Sequence, residues 1–104
     1  MTIYAAPLRD LGFVLHELLC VESELKDLAG CEEVSAALID RVLAEAARMA
    51  ESELFPLNRS GDEEGCTLVD GAVRTPKGFK EAFRRYAEAG WCGLPSDPAY
   101  GGQG

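Results

Sequence analysis

Between Ser35 and Leu57, the residues Ile39, Val42, Leu43, Ala46, Ala50, Leu54 and Leu57 recur at steps of three and four. That spacing puts them on one face of a single long α-helix, and a helix of this length sets the frame on which the rest of a small chain must pack. Ser35 has the chemistry of its N-cap. Many residues on the apolar side are alanines, which predicts a thin helix packed closely against its neighbours. Arg41, Glu45, Arg48 and Ser52 fall on the opposite face, with Arg41 and Glu45 one turn apart. Pro56 lacks an N–H for the carbonyl four residues back, so the helix is expected to kink or stop there. Asn58 to Gly65 then reads as a polar loop ending in the acidic run Asp62-Glu63-Glu64.

Ahead of this helix, Pro7 precedes Leu8, Leu11, Val14, Leu15, Leu18 and Leu19, an amphipathic helix whose other side carries Arg9, Gly12, His16 and Glu17. A short polar helix or turn is expected over Ser23 to Leu28, ending at Gly30. Beyond the loop, Thr67-Leu68-Val69 and Ala72-Val73-Arg74 flank Asp70-Gly71. This is a strong hairpin signal, because a type I′ turn needs positive φ at both central residues. A lone hairpin is marginal, which predicts that it lies against the helices. Thr75 and Pro76 read as N-cap and first position of a last helix, with Phe79, Ala82, Phe83, Tyr86 and Ala87 as its apolar face and Gly90 just past its end. The aromatic stripe Phe79, Phe83, Tyr86 with Trp91 reads as core. The expected fold class is mainly α: a single small domain over 1–104 with about four helices and one short hairpin. The glycine-rich end, Tyr100-Gly101-Gly102-Gln103-Gly104, closes no element and reads as a cut boundary within a longer protein.

Composition narrows the function classes. Apolar residues make up 47% and charged residues 27%, a globular balance. The formal net charge of −8, with no basic patch, disfavours nucleic acid as a partner. No apolar run reaches the roughly 20 residues of a membrane span, and no secretory signal opens the chain. These features suggest a soluble cytoplasmic protein. Cys20, Cys31, Cys66 and Cys92 form no Cys-x-x-Cys pair and His16 is the single histidine. A zinc site is therefore disfavoured, and the cysteines read as reduced core or boundary residues.

The candidates for chemistry are few. An imidazole is the usual general base at neutral pH, but His16 would need a nucleophile or an orienting partner, and Glu17 points elsewhere on a helix. Asp62-Glu63-Glu64-Gly65 lacks the alternate spacing of calcium ligands. Tyr100-Gly101-Gly102-Gln103-Gly104 could form an anion-binding backbone nest, although it neither follows a strand nor matches a dinucleotide or P-loop fingerprint.

The order of several short blocks says more. Pro7-Leu8-Arg9-Asp10 comes first, then Phe55-Pro56-Leu57-Asn58-Arg59 with Gly61-Asp62-Glu63-Glu64-Gly65-Cys66. Thr75-Pro76-Lys77-Gly78-Phe79-Lys80-Glu81, Gly90-Trp91 and Tyr100-Gly101-Gly102-Gln103-Gly104 follow. Together they resemble the N-terminal helical domain of acyl-CoA dehydrogenases, in particular the branch with an N-terminal extension that includes 3-methylmercaptopropionyl-CoA dehydrogenases. The resemblance covers nearly the whole chain.

It implies a parent oxidoreductase with a helical N-terminal domain, a β-rich middle domain and a helical C-terminal domain. FAD would lie mostly between the latter two, and the catalytic glutamate would come from the C-terminal domain. None of Glu45, Glu51, Glu53 or Glu81 matches that base, so no catalytic, cofactor-binding or metal residue is expected in this chain. By the same resemblance Tyr100, Gly101, Gly102 and Gly104 would begin the turn into a helix lining the acyl pocket. The partners implied are the remaining domains, an acyl-CoA, an electron-transfer flavoprotein and further subunits of a homo-oligomer. The alternative is a stand-alone acidic helical module that binds another protein through an exposed apolar helix face.

Overall fold

The computed structural model describes residues 2–104. Four helical bodies and one hairpin follow in order, so the fold is mainly α as the periodicity predicts. The first body is α1 (Leu8–Gly12), continued by wider π turns over Phe13–Leu18; the second is the short α2 (Val21–Leu25). The third is a rod in which α3 (Ala36–Met49), a π segment (Ala50–Leu54) and α4 (Phe55–Glu64) run without a break. Strands β1 (Thr67–Val69) and β2 (Ala72–Arg74) lead to α5 (Phe79–Glu88), and two 3₁₀ turns, Trp91–Gly93 and Pro98–Tyr100, close the chain.

The caps follow the local chemistry. Ser35 is extended, and its hydroxyl accepts from the Leu38 N–H at 3.1 Å. The Glu22 carboxylate accepts from the Ala36 N–H at 3.1 Å, which ties α2 to the start of α3. Asp70 and Gly71 have φ of 50° and 77°, as a type I′ turn requires. The antiparallel register pairs Thr67 with Arg74, Leu68 with Val73 and Val69 with Ala72. Gly90, at φ 86°, ends α5 in the left-handed region.

Several expectations are corrected. The stretch from Asn58 to Glu64 is helix, not loop, and the rod ends at Gly65 with φ 67°. The π segment explains why Pro56 does not stop it. The Phe55 N–H donates to the Ala50 carbonyl, five residues back, and the helix restarts with Pro56 in its first turn, where no N–H is needed. The short helix begins at Val21 rather than Ser23. The last helix begins at Phe79, not at Thr75 and Pro76. Gly78 turns left-handed at φ 90°, Phe79 N–H donates to the Pro76 carbonyl at 3.2 Å, and the Glu64 carboxylate takes the Lys77 N–H at 2.9 Å. The charged pair on α3 is Glu45 with Arg48.

The core is the largest departure. Ala47, Pro76 and Ala82 are the buried apolar side chains among the described residues. The predicted core aromatic Phe83 is 64% exposed, Leu18 is 65% exposed, and every residue of the two strands is exposed. The hairpin therefore does not lie buried against the helices. Cys20, Cys66 and Cys92 are exposed and only Cys31 is partly shielded, so most of the thiols are surface residues rather than core.

Close approach is concentrated where α5 meets α4. A Cβ at Gly61 would stand 2.4 Å from Phe79 Cζ, and one at Gly78 would stand 2.8 Å from Leu57 Cδ2. Arg85 reaches back to Glu53 on the π segment at 2.5 Å. At the other end, the Ala6 N–H donates to the Glu51 carboxylate at 2.7 Å, and the rings of Tyr4 and Phe55 lie 6.2 Å apart. The molecule measures 54 × 38 × 16 Å. It is a slab whose thickness is less than a third of its length.

Candidate functional site

A cleft of about 710 Å³ runs along the rod and is closed at one side by the C-terminal segment. Leu38, Val42, Met49, Trp91 and Leu94 give it an apolar wall, while Arg41, Glu45, Arg48, Ser52, Glu53 and Gln103 supply polar edges of both signs. The long-helix periodicity places Leu38, Val42 and Met49 there, and the left-handed Gly90 swings Trp91 over to meet them.

The glycine-rich segment is folded back on itself beside this cleft. Asp97 caps the last 3₁₀ turn, its carboxylate accepting from the Ala99 N–H at 2.8 Å. Gly101 N–H donates to Pro98, Gly102 N–H to Asp97, Gln103 N–H to Gly93 and Gly104 N–H to Ser96, at 3.0, 3.1, 3.0 and 2.8 Å. All four donors thus go to backbone carbonyls, so the segment presents no open nest to an anion. Gly102 is required by crowding, since a Cβ there would lie 2.0 Å from the Ser96 carbonyl oxygen. Gly101 and Gly104 have φ of 87° and 90°. Tyr100 points away from this packing and is 89% exposed. The structure brings Gly102 and Gln103 against Gly93–Ser96 and leaves the Tyr100 ring outside.

His16 has a partner that its neighbours in sequence do not reveal. Its Nε2 lies 2.6 Å from the Asp40 Oδ1, which joins the first helix to α3. A cleft of about 450 Å³ beside it is lined by His16, Cys20, Glu22, Ser23, Lys26 and Ala36. The Cys20 thiol donates to the Glu17 carbonyl at 3.6 Å. An orienting carboxylate is therefore present, and the pair works as a pin between helices.

Acidic residues are spent on helix geometry rather than gathered. Glu63 pairs with Arg59 at 2.8 Å, one turn away on α4. On α5, Arg84 beside Glu81 holds that carboxyl below the usual range, chiefly through their hydrogen bond. Glu32 is also lowered, by backbone N–H groups of its own residue and Gly30. Among the described residues no three His, Cys, Asp or Glu side chains are arranged to hold a metal ion. Among the same residues no helix is long and apolar enough to cross a membrane.

No protein-family model matches the chain. It is 32% identical over 104 residues to 3-methylmercaptopropionyl-CoA dehydrogenase of Ruegeria pomeroyi, a match that takes in 97% of this chain. The chain spans about 17% of the length of that curated relative. The ordered blocks from Pro7-Leu8-Arg9-Asp10 to Tyr100-Gly101-Gly102-Gln103-Gly104 and the alignment point the same way: along nearly its whole length, the chain is related to a segment of an acyl-CoA dehydrogenase.

Proposed function

We propose that the chain is the N-terminal helical domain of an FAD-dependent acyl-CoA dehydrogenase, whose parent oxidises an acyl-CoA thioester to the 2,3-enoyl-CoA. The observation that carries this reading is the similarity along 97% of the chain to an enzyme of which it represents about a sixth. The open slab supports it. A thin layer with few buried apolar side chains suits a piece whose surfaces are covered by other parts of an enzyme.

In this reading the domain's task is structural. The rod and α5 provide a rigid layer, and the segment Tyr100, Gly101, Gly102 and Gly104 contributes to the wall of the acyl pocket. The exposed Tyr100 ring is its free contact surface. In this reading FAD is held by the remaining domains. That group supplies the hydride chemistry when bound, and the protein orients it. An acyl-CoA, an electron-transfer flavoprotein acceptor, a homo-oligomeric parent and a cytoplasmic setting complete the proposal.

The test is an absorbance scan of the 104 residues and of the full-length parent, followed by acyl-CoA addition. The short chain is expected to be colourless and inert. The parent is expected to be yellow and to bleach with its substrate. A yellow short chain that bleaches would overturn the structural role. A colourless parent that no flavin reconstitutes would overturn the enzyme assignment.

A further inference from the structure

The chain exposes 8181 Å². A compact chain of this mass exposes about 5,700 Å², so roughly 2,500 Å² is left that a folded monomer would ordinarily cover. Three observations on the cleft along the rod say what covers that part of the surface.

The first is its apolar wall. Leu38, Val42 and Met49 follow one another on α3 at steps of four and seven, and Trp91 and Leu94 close the cleft from the C-terminal side. On the rod the cleft runs from Leu38 to Glu53, about 15 residues or some 22 Å of helix. Its walls are side chains, which offer no ladder of backbone partners. An extended occupant would bury its own N–H and C=O groups unpaired, whereas a helix satisfies them internally.

The second is the path of the backbone. Gln103 lines the cleft, and its N–H donates to the Gly93 carbonyl at 3.0 Å. Gly104 N–H donates to the Ser96 carbonyl at 2.8 Å, so the last two residues are fastened on either side of Leu94. A segment continuing from Gly104 starts at the rim. Such a tether gives it an effective concentration of about millimolar there, an advantage that no untethered partner shares.

The third is charge. Four ionised side chains line the cleft: Arg41, Glu45, Arg48 and Glu53. Arg48 pairs with Glu45, and Glu53 with Arg85. Among the described residues Arg41 alone of the four has no salt-bridge partner. An occupant that carries a carboxylate opposite Arg41 completes the set.

We infer that the stretch immediately following Gly104 in the parent forms an amphipathic helix of about 15 residues seated in this cleft, with a carboxylate against Arg41. The inference rests on the reading of the chain as one domain of a longer protein, and not on that protein's chemistry. The experiment places the photo-crosslinker p-benzoylphenylalanine at Arg41 or at Ala44 in the full-length parent. Both positions line the cleft and are exposed in this chain, so neither replacement disturbs its internal packing. Peptide mapping should find the cross-links in the same chain, within about 25 residues after Gly104, the sum of a short connection and such a helix. Mixing isotope-labelled and unlabelled parent separates same-chain products from those between copies. In the otherwise native parent, Arg41→Glu should lower the melting temperature and Arg41→Lys should change it little. Cross-links to later parts of the parent, to a second copy, or to nothing would overturn the inference. So would equal melting temperatures for the two Arg41 variants. A parent that lacks flavin yet gives the expected cross-links would sink the enzyme reading and leave this one standing.

Discussion

His16 Nε2 and Asp40 Oδ1 stand 2.6 Å apart across 24 residues of sequence, and they fasten the first helix to the rod. The Asp40 side chain is 62% exposed and that of His16 25%, so water screens the pair and its contribution is about 0.2–1 kcal/mol. Its importance is positional. The first helix leaves Leu8, Leu11, Val14, Leu18 and Leu19 largely open, so it has little apolar burial with which to hold its place. We expect His16→Ala and Asp40→Ala to loosen this helix first. In a double-mutant cycle followed by amide exchange over residues 8–18, the second substitution should add almost nothing to the first. Additive losses of protection would show that the two side chains act separately.

Gly61 is a helical glycine kept for the ring that rests on it. Ala is favoured over Gly in a helix by up to about 1 kcal/mol. A methyl at Gly61, however, would sit 2.4 Å from the Phe79 ring and force it off α4. Gly61→Ala is therefore expected to lower the melting temperature in the native background. In a Phe79→Ala background the same change should raise it. A rise in both backgrounds would mean that the ring is not held against α4.

The hairpin turn offers a cleaner conformational test. Gly71 has φ of 77° and nothing within contact distance of a built Cβ, so any penalty there is backbone strain alone. Gly71→Val should cost about 1–2 kcal/mol, whereas Gly71→Asn, which tolerates the left-handed region, should cost only a few tenths. Equal melting temperatures for the two variants would contradict the turn geometry.

Acid should act on α5 through Glu81. Its carboxyl is held below the ordinary range by the Arg84 hydrogen bond, so the folded form binds its proton less readily than the unfolded one. The resulting stabilisation is complete above about pH 4.3 and is lost as the pH falls through the lower folded-state value. Glu81→Gln should flatten that acid limb in a plot of helicity against pH. An unchanged limb would assign the acid response to other carboxylates.

Local chemistry was legible in the sequence wherever a few adjacent residues decide the backbone. Ser35 announces a cap, Asp70-Gly71 a turn and Gly90 a helix end, and each takes the predicted conformation. Residues that depend on a distant partner were not legible. Gly61 looks like a loop residue until Phe79 is seen above it, and His16 looks solitary until α3 delivers Asp40. Periodicity also identifies the apolar face of a helix without saying what covers it. That is why Phe83 reads as core yet lies open. At the candidate site, the glycine-rich composition of residues 101–104 was plain, but the engagement of their N–H groups follows from contacts with Gly93, Ser96 and Asp97 that spacing alone does not encode.

The π segment Ala50–Leu54 is where the rod can absorb a change in length. A wider turn behaves as one residue more than an α-helix needs to cover the same rise. Deleting one residue here should let the segment relax to plain α-helix while α4 keeps its phase. A deletion within 41–49 has no such slack, because it would turn Glu51 by about 100° around the rod relative to Asp40. The first segment could not then keep both Ala6 on Glu51 and His16 on Asp40. Among relatives, a one-residue gap is therefore expected at 50–54 sooner than within 41–49.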